Sequence, residues 1–282
     1  MIQFDRGSEP QSLADRRTSA FKEVLPIAAL TGQESKALRD KLGNYSQGKA
    51  ALHARQNGKC AFCERFSGLD GNPLEHFRPK KGAIRQDGRV DEAHYWWLCW
   101  TWENHVFACN VCNGASRKGN KFWIAAAPAP LPVPTTGLTM LPPGDFDVSG
   151  EDALLLDPAT EDPLDHIRWE PLNQAGPPRL WKWKVIGLSP KGVATIAILK
   201  LTENLETIQS HVANHLVSRV ESVKRHLLAG RPQDAVAEWQ LLLDDTLTNA
   251  NAELRGPTWC ALHWLLPDGQ RAAAGLAAPV RP

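Results

Sequence analysis

The stretch CAFCERFSGLDGNPLEHFRPK, Cys60–Lys80, places a Cys-x-x-Cys pair ahead of an acid–histidine pair, Glu75–His76, and then Arg78 and Lys80. A metal clip needs neither Glu75 nor His76, and an acid–histidine pair needs no thiols. A second stretch, YWWLCWTWENHVFACNVCNGASRKGNKF, Tyr95–Phe122, connects the two features. Its Cys109 and Cys112 complete a CxxC…CxxC pattern with Cys60 and Cys63. Four thiolates in two such knuckles close a tetrahedral Zn²⁺ site, each knuckle placing two sulfurs on one side of the ion. The metal then staples a loop-rich segment that buries too little apolar surface to fold unaided.

Composition narrows the classes. With 43% hydrophobic and 22% charged residues in 282, the chain reads as globular, with material for one large domain or two modest ones. A formal net charge of +1 excludes a histone-like polycation, so any nucleic-acid contact must come from local clusters. No apolar run approaches a membrane span and the N-terminus has no signal-peptide core, which reads as a cytoplasmic protein without membrane contact. In a reducing compartment cysteines serve metal or catalysis rather than disulfides. Cys99 and Cys260, each among aromatics, read as buried inert thiols.

Along the chain, residues 1–56 read as a helical N-terminal segment, with SLADRRTSAFKEVL and ESKALRDKL as helices. Residues 57–126 hold the cysteines and the acid–histidine pair. The Pro-rich stretch 127–149 reads as a linker. Residues 150–268 form a mainly helical region: DALLLDP and RLWKWKVIG as strands, then a long amphipathic helix stopped at Gly230 and a second helix opened by Pro232. Residues 269–282 read as a flexible tail.

The residues between and just after the knuckles, CAFC, LEHFRPK, WENHVFACNVCN and RKG, resemble the HNH endonucleases of the ββα-metal fold. Within them, EHFRPK, YWWL and LLLDPATEDPLDH look most like the HNH nuclease subunits of Septu-type and retron-linked anti-phage systems. Phosphodiester hydrolysis needs an activated water and neutralisation of the phosphoryl and leaving oxygens. His76, an imidazole largely neutral near pH 7, suits the general base. A hard cation, Mg²⁺ or Mn²⁺, suits the charge, held by oxygen ligands. The resemblance assigns those ligands to Glu75 and Asn113, and gives Asn104 the role of bracing the hairpin and orienting His76. Arg78, Lys80, Lys81, Arg117 and Lys118 read as the path of the phosphate backbone. The resemblance further implies an ABC-type ATPase partner and a role in phage defence.

Each feature also has a plainer reading. Asn113 suits a helix cap, and Asn104 a loop. The run Tyr95–Trp102 could stack on bases but reads better as the core of a metal-stapled domain. Asp157, Asp162, Asp165 and His166 read as turn punctuation, and His211 and His215 lack the acid of a zincin helix. The expectation is an α+β, mainly helical protein: a zinc-stapled ββα-metal HNH core between helical N- and C-terminal regions. Its expected function is metal-dependent HNH endonuclease activity on DNA. The alternative is a zinc-stapled nucleic-acid-binding or assembly subunit that does not cleave.

Overall fold

A computed structural model describes residues 1–282 apart from 33, 126–147 and 149. The Pro-rich stretch read as a linker therefore lies, but for residue 148 at its end, outside the described residues. Helices carry most of the regular structure, with three small two-stranded antiparallel sheets among the described residues. The chain packs as two compact units, residues 4–62 with 66–159, and residues 1–3 with 63–65 and 160–282.

The first unit opens with α1 (Gln11–Thr31), α2 (Lys36–Lys41) and α3 (Lys49–Arg55). Leu13, Ala20, Phe21 and Val24 recur at helical spacing, so α1 buries one stripe. Phe21 from that stripe meets Trp96 and Trp100 edge-on, with ring centroids 6.4 and 6.0 Å apart. Tyr95, Trp96, Trp97, Trp100 and Trp102 are all buried, so the aromatic run is core and not a stacking platform. The aromatic run needs a cover, and α1 supplies it from within the same unit.

Next come β1 (Leu74–His76), β2 (Ala83–Ile84), β3 (Val90–Asp91), β4 (His105–Phe107) and α4 (Asn110–Asn113). β1 pairs antiparallel with β4, setting Leu74 opposite Phe107, Glu75 opposite Val106 and His76 opposite His105. β2 and β3 form a hairpin inserted between those two strands. DALLLDP does not form the expected strand. Ala153 makes one isolated bridge to Ile124, while Leu155 and Leu156 are buried side by side.

In the second unit β5 (Ile167–Pro171) pairs antiparallel with β6 (Trp183–Gly187), Trp169 opposite Val185. α5 (Pro190–Leu199) follows, capped by Ser189, whose hydroxyl accepts from the Gly192 N–H at 3.1 Å. Gly192 must be glycine, since a Cβ there would lie 1.9 Å from the His166 carbonyl oxygen. α6 (Leu205–His211) and α7 (Val217–Leu228) form the long helix, joined by a π-helical turn at Val212–Leu216. α8 (Pro232–Leu243), α9 (Arg255–Leu265) and α10 (Asp268–Ala273) complete the unit. Residues after α10 make hydrogen bonds within this unit. The indole N–H of Trp239 donates to the Ala277 carbonyl at 2.8 Å and that of Trp259 to Pro279 at 3.2 Å. Arg281 pairs with Asp162 and Asp165. Largely buried indole N–H groups need acceptors, and the tail backbone provides them.

Candidate functional site

Cys60, Cys63, Cys109 and Cys112 converge, their sulfurs all within 4.8 Å of one another. A tetrahedral zinc with Zn–S near 2.3 Å requires sulfur–sulfur edges of roughly 3.8 Å, so the set fits a structural Zn²⁺. An antiparallel bridge between Lys59 and Phe66 closes the first knuckle. The second lies across the start of α4, where the Cys109 sulfur accepts from the Cys112 N–H. Gln56, buried, fastens the first knuckle to β4. Its amide nitrogen donates to the carbonyls of Lys59 and Phe107, and its oxygen accepts from the Phe107 N–H, each at 2.8 Å.

β1 carries Glu75 and His76 out of this staple, both buried. His76 Nε2 lies 2.9 Å from the Cys99 carbonyl oxygen. A carbonyl only accepts, so Nε2 holds the proton and Nδ1 keeps its lone pair. Lys80 Nζ donates toward Nδ1 at 3.4 Å, and the Tyr45 ring meets the imidazole edge-on at 4.5 Å. His105 donates from its own Nε2 to the same Cys99 oxygen at 3.0 Å, its ring 4.8 Å from that of His76. Burial, and after it the positive charge of Lys80, hold His76 well below the ordinary histidine range. Burial pushes His105 down to about 3. Both imidazoles are neutral at neutral pH.

Glu75 faces Asn113 at the end of α4. With its nitrogen turned inward, the Asn113 amide donates to both carboxylate oxygens, 3.3 Å to Oε1 and closer to Oε2. Lys118 Nζ reaches Glu75 Oε1 at 2.5 Å and also donates to the His76 carbonyl at 2.6 Å. Burial raises the Glu75 carboxyl above its usual range, and the Lys118 ammonium opposes that rise. Gly119, at φ +44°, makes the turn after Lys118, where a Cβ would lie 2.9 Å from the Ala115 Cα. Turned over, the same amide would set its oxygen beside the carboxylate, and a carboxylate with an amide oxygen is a donor pair of the type a hard divalent cation takes.

Asn104 spans the loop after β1. Its oxygen accepts from the Arg78 N–H at 2.7 Å, and its nitrogen donates to the carbonyls of Arg78 at 3.0 Å and Leu98 at 3.1 Å. The chain leaving His76 is therefore fixed by a side chain that the sequence order alone would leave in a loop.

Three of the five basic residues read as a phosphate path are buried. Arg78 pairs with Glu151 at 2.8 Å and lies over the rings of Phe77 and Phe122. Arg117 is 7% exposed, and Lys118 is fully buried against Glu75. A buried cation needs an anionic or carbonyl partner, and Glu151 serves Arg78 as Glu75 serves Lys118. Lys80 and Lys81 keep contact with solvent. The acidic cluster disperses: Asp157 pairs with Arg6, Asp162 and Asp165 with Arg281, and His166 with Ser189. Burial pushes Cys99 to about 12 and Cys260 to about 11, so both are inert thiols.

Tyr45, Gln56 and the Cys99 carbonyl are the contributors that sequence reasoning passed over. A backbone carbonyl has no sequence signature, and Tyr45 lies 31 residues before His76 with no motif around it. Gln56, directly before the first knuckle, carries the one legible hint: a polar residue on the last turn of the helix that delivers Cys60.

No protein-family profile matches the chain, and no solved structure matches it. Among curated proteins it is similar to the Septu protein PtuB of Bacillus mycoides (strain KBAB4), 31% identical over 175 residues. The match covers 60% of this chain and 55% of that protein, so the chain spans about half the length of the curated relative it matches.

Proposed function

We propose that this chain is a metal-dependent HNH endonuclease that hydrolyses DNA phosphodiester bonds. It acts in the cytoplasm as the nuclease effector of a bacterial anti-phage defence complex, beside an ABC-type ATPase partner. The observation that carries the reading is the contact between Glu75 and Asn113, with His76 next to Glu75 on a strand–strand–helix unit bracketed by two cysteine pairs. A binding module has no use for that geometry. The relationship to the Septu protein PtuB supports the defence role.

In this reading His76 takes a proton from water at Nδ1, because Nε2 is committed to the Cys99 carbonyl. The shared carbonyl and Tyr45 fix the ring, and Asn104 fixes the chain that follows. Glu75 and Asn113, with its amide turned oxygen-inward, would hold a Mg²⁺ or Mn²⁺ ion, which would supply positive charge to the phosphoryl group and the leaving oxygen. Lys118 opposes the rise that burial imposes on the Glu75 carboxyl, and Lys80 and Lys81 meet the phosphate backbone.

The test is cleavage of supercoiled plasmid and of a single-stranded RNA by the purified chain, with Mg²⁺ or Mn²⁺, alone and with the ATPase partner and ATP. Nicked or linear plasmid that depends on the added divalent ion supports the reading. Intact DNA under all of these conditions, with zinc retained, would leave a zinc-stapled binding subunit.

A further inference from the structure

Tyr45 belongs to none of the motifs, yet it touches both working groups at one end of the site. Its ring meets His76 edge-on at 4.5 Å, and its hydroxyl oxygen is 3.0 Å from Lys80 Nζ. The same ammonium lies 4.2 Å from the Tyr45 ring centroid and 3.4 Å from His76 Nδ1. Lys80 is thus held between two side chains, Tyr45 and His76, and does not sweep freely as a surface lysine does.

The Tyr45 loop is itself anchored. Trp100, fully buried, donates its indole N–H to the Gly43 carbonyl at 3.0 Å. Arg16 of α1 donates to the Asn44 carbonyl at 3.2 Å. Asn44 has φ +51°, a left-handed turn that asparagine tolerates better than most residues. Tyr45 is therefore set by the packed N-terminal helix and the aromatic core.

On the reading that His76 Nδ1 activates the attacking water, that water must lie within hydrogen-bond reach of Nδ1 and in contact with phosphorus. A cation 3.4 Å from Nδ1 is then beside the non-bridging oxygens of the phosphoryl group under attack. We infer that Tyr45 is a positioning residue, whose hydroxyl holds the Lys80 ammonium where it meets the scissile phosphate. The contact is worth most as charge builds on those oxygens, because a pre-placed donor costs no reorganisation at that moment. The inference rests on the nuclease reading and adds to it a residue and the substrate group that residue serves.

The test uses full-length chain with the ATPase partner wherever cleavage requires it. Single-turnover plasmid cleavage is measured for wild type, Tyr45→Phe, Lys80→Met, Lys80→Arg and the Tyr45→Phe/Lys80→Met pair, with zinc content and Tm as folding controls. Tyr45→Phe keeps the ring on His76 and removes only the hydroxyl. The expected result is a loss of about tenfold in the rate at saturating DNA, with half-saturation changed less than about twofold. Lys80→Met loses at least as much, Lys80→Arg recovers part of it, and the double variant is no slower than Lys80→Met. A merely structural tyrosine would lower Tm or zinc content, and its loss would multiply with that of Lys80→Met. Either of those outcomes, or a Tyr45→Phe rate equal to wild type, overturns the inference and leaves the nuclease reading standing. A wild-type chain that cuts nothing overturns the nuclease reading, and the inference with it.

Discussion

A carbonyl oxygen settles which nitrogen of His76 carries the proton, and so which one can take another. The acid–histidine pair was legible in the sequence, as was the asparagine at the end of α4. The shared Cys99 carbonyl was not, because backbone groups leave no mark on residue order. Nor was the contact of Lys118 legible: it reads as part of a phosphate path, and its ammonium is buried on Glu75. Gln56 has the simplest consequence at this scale. Replacing it with alanine removes three hydrogen bonds and leaves buried partners, so stability should fall by about 2–4 kcal/mol. Urea unfolding with zinc retained would show this. A shift under half a kcal/mol would mean water takes over those groups. Asn104→Ala, which strips three bonds from the chain after β1, should slow cleavage more than it weakens DNA binding. Equal losses in both would remove its positioning role.

The elements were read with mixed success, for physical reasons. The long helix and the helix after Gly230 followed from periodicity, and β6 from the alternation of Trp181, Trp183 and Val185. β5, its partner, escaped because its IRWEP residues mix charge with apolar positions, and only the pairing makes them a strand. β1 and β4 are three residues each, too short for any periodicity to register. Such strands depend on the cysteine staple, because a short two-stranded ribbon is marginal in water. The chain should bind one structural zinc, and Cys109→Ser should lose it together with the near-ultraviolet circular dichroism of the tryptophan run. A Cys109→Ser protein with wild-type spectrum and a folded hairpin would mean the staple is not needed.

Across the molecule, contacts that join distant stretches are not legible in the sequence: α1 covers aromatics some 80 residues later, and single-chain patterning carries no record of such contacts. A pH dependence follows from the buried histidines. His211 is held down to about 4, chiefly by burial and then by the neighbouring charge of His215, and it bonds the Thr258 hydroxyl at 2.8 Å. Its folded pKa lies below its unfolded value near 6.5, so it is neutral in both states above that pH and has no effect there. Between pH 6.5 and about 4 the unfolded chain gains a proton that the folded one refuses, and stability falls as pH falls. The slope is about 1.4 kcal/mol per pH unit for each such histidine. His211→Gln should therefore show a shallower acid loss than wild type by about that amount. Parallel curves from urea melts at pH 7 and 5 would contradict it.

The most direct test of the whole account compares wild type with His76→Ala, matched for zinc content, in Mg²⁺- or Mn²⁺-dependent plasmid cleavage with the ATPase partner and ATP present. The account predicts nicking or linearisation by wild type and a loss of at least about a thousandfold in the variant, with DNA binding retained. Cleavage by His76→Ala at the wild-type rate would contradict it, because the proton would then go to some group other than Nδ1 of His76.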